Sequence, residues 1–331
     1  MQKQLIGQSS PFLHDPHSST RNLMGNVILA LIPAGLASIW FFGWSALTLI
    51  LVSVAFAVAG EWAFEKLAKK PCTIGDLSAV VTGMLVAYNI SSNAPWWMAA
   101  LGSVLAIVLV KQFFGGIGQN FMNPALAART FLMLSWAGLM AGNLAPQAGQ
   151  IFGLTVADAA TTASPLMAEA GQYSLWDLFI GNIPGMLGET SKLAILIGGI
   201  YLAVRKIIDW RIPVAYIGTA FVLFLVEGLV KEEGMTGALQ FSAYQLLSGG
   251  LMLGAFFMAT DYVTSPMTKS GRVIMGVGCA LILWVIRAFN KSYPEGCSFG
   301  ILFMNVMTPL IDKWTLPKTF GAVKPQSVKG E

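Results

Sequence analysis

The stretch of this sequence whose residue types lend themselves to chemistry is Asp158-Ala-Ala-Thr-Thr-Ala-Ser-Pro-Leu166. Thr161, Thr162 and Ser164 place three hydroxyls within four residues, between Asp158 and Pro165. A hydroxyl is the acceptor such a loop can offer to a phosphate-bearing group, so the stretch reads as a place where a cofactor is attached. The plainer alternative is a polar turn whose side chains cap a helix. The hydroxyl cluster lies in a long interruption, residues 143–190, that carries Asp158, Glu169, Asp177 and Glu189 and neither Lys nor Arg.

Other polar groups stand at the edges of apolar segments. Glu189 and Thr190, with Ser191, open a segment where a helix N-terminus could hold a phosphate or where the acid could simply favour the helix dipole. Asp261, followed by Thr264, Ser265 and Pro266, is an ionisable group near a membrane boundary and therefore a candidate for ion handling or ligand contact; a helix cap accounts for it equally well. Asn120, Asn123 and Arg129 accompany the Gly115-Gly116-Ile117-Gly118 turn, a weak phosphate signal without the strand of a nucleotide fold. Glu61 and Glu65 fall one helical turn apart on one face, with Glu61 deep enough to belong to an ion path. His14 and His17 make no metal site alone, and Cys72, Cys279 and Cys297 are too dispersed for a zinc or iron–sulfur motif.

Positioning these groups falls to apolar segments. The 331 residues are 55% hydrophobic and 11% charged, with a mean hydropathy of +0.67. That balance excludes an ordinary soluble domain, and with Lys and Arg scattered singly it also excludes a nucleic-acid surface. A lipid-exposed backbone must satisfy its own hydrogen bonds, so the expected fold is an all-α integral membrane protein embedded in the lipid bilayer. Hydropathy places ten spans near 23–43, 45–66, 77–90, 96–111, 122–142, 191–206, 212–230, 245–259, 272–289 and 296–312, which divides the chain into residues 1–142, the loop 143–190 and residues 191–331.

The two sets of five spans echo one another. Thr82-Gly-Met-Leu-Val-Ala-Tyr-Asn-Ile-Ser-Ser-Asn-Ala-Pro95 has the shape of Gly254-Ala-Phe-Phe-Met-Ala-Thr-Asp-Tyr-Val-Thr-Ser-Pro266, and Lys111 matches Arg287, an offset of about 172 to 176 residues. An odd number of spans per set makes the repeats inverted. Basic residues gather in alternate connections, at Lys66, Lys69 and Lys70, Lys111, Arg205, Lys206 and Arg211, Lys269 and Arg272, and the tail. By the positive-inside rule both termini are cytoplasmic and the acidic loop faces outward.

Five motifs in order carry a resemblance over nearly the whole chain. They are Ser10-Pro11 with His14 and Leu29-Ala-Leu-Ile-Pro33; Phe114-Gly-Gly-Ile-Gly-Gln-Asn-Phe-Met-Asn-Pro124; Pro184-Gly-Met-Leu-Gly-Glu-Thr-Ser191 with Leu193-Ala-Ile-Leu; Met258-Ala-Thr-Asp-Tyr-Val-Thr-Ser-Pro266; and Tyr293-Pro-Glu-Gly296 with Phe299 and Asn305. With these, the sequence resembles the D subunit of the Rnf ion-translocating ferredoxin:NAD oxidoreductase, a relative of the B subunit of the sodium-pumping NADH:quinone oxidoreductase. That family's loop reads approximately Asp-x-x-Ser/Thr-Gly-Ala-Thr-Pro-Leu, its last Thr bearing FMN in a phosphodiester. The match to Asp158, Ala163, Pro165 and Leu166 implies FMN on Ser164. This sequence departs from the pattern with Ser164 for Thr and Thr162 for Gly, which leaves Thr161 and Thr162 as other acceptors.

The resemblance further implies flavin contacts at Asn123 and Arg129, a noncovalent riboflavin on the inner side as an additional cofactor, and residence in a bacterial or archaeal cytoplasmic membrane. Partners would be the A, B, C, E and G subunits of the Rnf complex, above all the flavin-bearing G subunit and the membrane-embedded A and E subunits, with a flavin transferase for maturation. The function implied is electron transfer coupled to Na⁺ or H⁺ movement by the whole complex. The competing expectation is a small-solute transporter or channel with inverted repeats and no redox centre.

Overall fold

The computed structural model describes residues 19–149, 161–162, 164–166, 172–231, 234–290 and 295–317. Asp158, His14 and His17 lie outside them. Helix α1 (Thr20–Leu67) starts where the Ser19 hydroxyl accepts the Asn22 N–H, and runs for 48 residues. Straight, it would measure about 72 Å, more than twice the hydrocarbon thickness of a bilayer. Gly43, at φ 60° and ψ −137°, breaks it, close to where hydropathy separates the first two spans.

The rest of the N-terminal half is α2 (Ser78–Tyr88), α3 (Trp96–Leu105) continuing as a π-helix over Ala106–Gln112, α4 (Pro124–Ser135) and the short α5 (Ala137–Ala141). Asn123 caps α4 through the Ala125 and Leu126 N–H groups, with Pro124 at the first position, where its missing donor costs nothing. A two-residue strand, β1 (Asn143–Leu144), pairs antiparallel with β2 (Thr161–Thr162). After α6 (Leu175–Ile180), the second half comprises α7 (Lys192–Val204), α8 (Arg211–Lys231), α9 (Gly234–Leu247), α10 (Leu251–Leu253) running into a π-helix over Gly254–Met258, α11 (Lys269–Phe289) and α12 (Cys297–Thr315).

Among the described residues α1, α8 and α11 are long and apolar enough to cross a membrane, and α9 with 251–258 forms a further unit bent by 63°. The bend corrects the span expected at 245–259. Its helix begins at Gly234, hidden from hydropathy by Thr236, Gly237, Gln240 and Ser242. Packing explains it: a Cβ on Gly228 would lie 2.9 Å from the Ala238 Cα, so α8 and α9 meet backbone to backbone, and Ser242 donates to the Phe221 carbonyl at 3.0 Å.

Two of the seams between the halves are especially close. On one, α1 packs on α7: a Cβ on Gly198 would run into the Ala30 carbonyl oxygen, and Tyr201 donates to Asn26 at 2.6 Å. On the other, the break after α2 pairs with the segment before α7, through Leu187 N–H to Ile90 O (3.2 Å) and Gly188 N–H to Tyr88 O (3.0 Å). The two polar interruptions thus satisfy each other's backbone groups, which is what makes non-helical chain tolerable at membrane depth.

Candidate functional site

The candidate residues divide between two faces. On one, Ser164 is half-buried, Pro165 buried and Leu166 half-buried. The Pro165 carbonyl accepts the Tyr244 hydroxyl of α9 at 3.1 Å. Leu166 closes on Gly249, in the bend between α9 and α10: a Cβ there would meet Leu166 Cδ1 at 2.5 Å and the Arg287 Nη2 at 3.2 Å. Gly249 also has a φ of +66°, so both conformation and space require glycine. Upstream, Thr161 and Thr162 are fixed through the main chain opposite Leu144 and Asn143. Ser164 is therefore held from both sides on packed structure.

Adjoining it, around Gly250, is a buried cluster of charges from both halves. A Cβ on Gly250 would lie 2.8 Å from Glu189 Oε2, 2.9 Å from Glu295 Oε1 and 3.4 Å from Arg129 Nη1. Arg129 of α4 pairs with Glu295, before α12, lies 3.8 Å from Glu189 and donates to Asn89 at 2.7 Å. Glu295 also accepts the Gly250 N–H at 2.9 Å. Lys192, wholly buried, donates to the carbonyls of Glu189 and Thr190. Two cations facing two carboxylates make these buried charges tolerable, yet Arg129 Nε, Glu189 Oε2 and Thr190 Oγ1 have no hydrogen-bond partner among the described residues. The helix N-terminus of α7 is already served by Ser191, which accepts the Ala194 N–H.

The opposite face, where α1, α2 and α4 begin and α7 ends, encloses a cavity of about 330 Å³ lined by Asn120, Asn123, Asp261, Lys111, Phe256 and Phe257 among others. Asn123 reaches it while donating to the Met258 carbonyl at 3.3 Å. Asp261, in the turn that follows the second π-helix, accepts from Thr264 at 3.2 Å; burial pushes its carboxyl above the usual range, against hydrogen bonds from Thr264, the Val263 N–H and Asn120. In the cavity wall, Lys111 is neutralised by Glu61 at 2.6 Å and donates to Ser78 at 2.6 Å; Gln112 also donates to Glu61 at 2.7 Å, and Thr73 ties down Glu65.

The structure thus brings Ser164 and Pro165 together on one scaffold, Arg129 with Glu189 and Thr190 in a buried cluster beside it, and Asn123 with Asp261 at the cavity, where Thr264 holds Asp261 from outside the lining. Sequence reasoning missed Tyr244, Gly249 and Lys192, and met Glu295 only within the Tyr293-Pro-Glu-Gly296 motif, without a site role. The Gly249-Gly250 pair inside an apolar span and a lysine within the first turn of another were the available signals. Among the described residues no three His, Cys, Asp or Glu side chains converge as a metal site.

The family described as NQR2, RnfD, RnfE matches residues 6–321. The chain is 47% identical over 327 residues to the D subunit of the Na(+)-translocating ferredoxin:NAD(+) oxidoreductase complex of Acetobacterium woodii, covering 97% of this chain and 96% of that one. It is 39% identical over 327 residues to the D subunit of the proton-translocating ferredoxin:NAD(+) oxidoreductase complex of Clostridium ljungdahlii, with 95% of each chain covered. It is 37% identical over 333 residues to the D subunit of the ion-translocating oxidoreductase complex of Stutzerimonas stutzeri, covering 92% and 93%. With motifs, helical membrane architecture and full-length similarity in agreement, the chain belongs to the NQR2, RnfD, RnfE family.

Proposed function

We propose that this chain is a membrane subunit of an Rnf-type electron-transport complex, carrying FMN in phosphoester linkage on Ser164 and passing electrons between partner subunits. The complex would couple ferredoxin:NAD oxidoreduction to translocation of Na⁺ or H⁺; similar chains are named for each ion. In this reading the chain crosses the membrane about ten times as two inverted sets of five spans, with both termini and the cavity face cytoplasmic and the 143–190 loop outside. The A, B, C, E and G subunits of the complex are its partners.

The observation that carries the reading is the setting of Ser164. Ser164 is half-buried rather than enclosed, while Tyr244 and Gly249 hold the next two residues. A tethered group needs both an accessible acceptor atom and a fixed anchor, and this segment has them. In the attachment step Ser164 Oγ loses its proton and forms the bond to phosphorus. The balanced donor is a flavin dinucleotide, whose nucleoside monophosphate leaves with the bridging oxygen; a flavin transferase would catalyse it. Once attached, the flavin supplies one- and two-electron transfer, and the protein sets its distance and surroundings.

The cavity on the other face is read here as the place of a noncovalent riboflavin. Its volume of about 330 Å³ lies in the range of small-ligand sites, and apolar walls from Phe256 and Phe257 meet polar groups at Asn120, Asn123 and Asp261, as a flat ring with a hydrogen-bonding rim requires. The bend at Gly249-Gly250 and this cavity would also suit a solute transporter. The test is in-gel ultraviolet fluorescence and intact mass of the denatured chain after expression with the transferase. A fluorescent band heavier by one FMN less water, lost in Ser164→Ala, supports the redox reading; an unmodified mass favours the transporter.

A further inference from the structure

We propose that the Arg287 guanidinium is the counter-charge that holds the phosphodiester on Ser164, an inference that rests on the attachment reading above. A phosphodiester carries one negative charge near neutrality, and the loop that would bear it, residues 143–190, contains no Lys or Arg. The cation must come from elsewhere in the fold. Arg287 Nη2 and Leu166 Cδ1 lie 3.2 and 2.5 Å from the same point, the Cβ position of Gly249, so this guanidinium stands beside the segment that begins at Ser164.

Among the described residues its charge also has no ion-pair partner, Glu189 and Glu227 acting on it only at longer range. Lys111, the residue matched to Arg287 when the two halves are compared, is neutralised by Glu61 at 2.6 Å. No described carboxylate comes within ion-pair distance of Arg287. Its donors go to the carbonyls of Gln245 (2.5 Å) and Ser248 (3.1 Å) at the end of α9, and its plane lies 5.5 Å from the Phe224 ring centroid. Nε is buried with no acceptor. Glu227, the acid of neighbouring α8, is taken by Lys231 at 2.6 Å and by Trp284 Nε1 at 2.8 Å. A guanidinium fixed by carbonyls and an aromatic face, with no described carboxylate in ion-pair reach, is suited to a phosphate.

The test uses the full chain expressed with its flavin transferase. R287Q, which keeps amide donors for the helix-end carbonyls but loses the charge, should lower the flavin-bearing fraction about tenfold, whereas R287K should retain most of it. On the wild-type protein, solid-state dephasing of the phosphodiester ³¹P signal by ¹⁵N-labelled guanidinium should report direct contact, and R287K should abolish it. Should R287Q fail to fold, the wild-type measurement decides. Absence of dephasing, dephasing that survives in R287K, or R287Q flavinylated as fully as wild type overturns the counter-charge and leaves the Ser164 reading intact. Flavin retained in S164A would instead overturn the attachment reading itself.

Discussion

Replacing Lys111 with Met should destabilise the folded protein sharply, and the structure sets the scale. Lys111 and Glu61 have side-chain exposures of 4% and 0% and meet at 2.6 Å. Removing one partner of such a pair strands the other charge in a low-dielectric interior, at a cost of about 3–5 kcal/mol. Glu61 would still accept from Gln112 at 2.7 Å, which points to the lower end. At about 2 °C per kcal/mol for a chain this large, that is a fall in Tm of about 6 °C. Cys279 and Cys297 are buried and serve as reporters: a thiol-reactive fluorophore labels them only as the solubilised protein unfolds. Exposed Cys72 is changed to Ser beforehand to lower the baseline. The double variant E61Q/K111M, with no stranded charge, should recover most of the loss. A single variant melting within about 2 °C of wild type, or a double variant no better than the single, would refute the reasoning.

Three further outcomes follow from particular contacts. Gly198→Leu drives a side chain into the Ala30 carbonyl and should abolish the monodisperse species on size-exclusion chromatography, while Gly218→Leu, with nothing within 4 Å, should not; equal behaviour would mean that the α1–α7 seam is not tight. Burial alone would raise the Asp209 carboxyl, but the Arg211 N–H and the guanidinium groups of Arg272 and Arg211 more than offset it and hold it below the ordinary range. Its contribution is therefore present above the ordinary carboxylate range and lost as pH falls through the lowered value; Asp209→Asn should flatten the acid limb of a Tm–pH curve, and an unchanged limb would contradict this. Asp261 has the opposite sign: its raised carboxyl makes the fold lose stability as pH rises from the ordinary carboxylate range through the raised value. Asp261→Asn should then raise Tm at neutral pH while weakening riboflavin retention, and a lower Tm would count against it.

Composition and spacing made the helical membrane class legible, because hydropathy depends on residue type alone. The same measure misplaced α9, where backbone contact between Gly228 and Ala238 substitutes for apolar bulk. Gly43 shows another limit: its φ of 60° marks the break within α1, and hydropathy located it only through a dip in the profile. The motif around Asp158 and Leu166 named Ser164 as a candidate acceptor, but the contacts that hold the residues after it were not visible in the sequence. Tyr244 sits in an apolar helix, and its hydroxyl acts only after the bend at Gly249 brings it under Pro165. The charge cluster depends wholly on tertiary structure, since Arg129, Glu189 and Glu295 are far apart in the sequence and converge only when the two halves dock.

The pinning of the chain on both sides of Ser164, by strand pairing of Thr161 and Thr162 before it and by Tyr244 on Pro165 after it, limits its reach. A group tethered to this hydroxyl gains little swing from the peptide, and its travel comes down to the flexibility of its own sugar-alcohol chain. If the proposed flavin is attached here, its electron acceptor would have to approach this fixed mooring, and lengthening the peptide on either side by a few glycines would slacken the distance over which an electron passes.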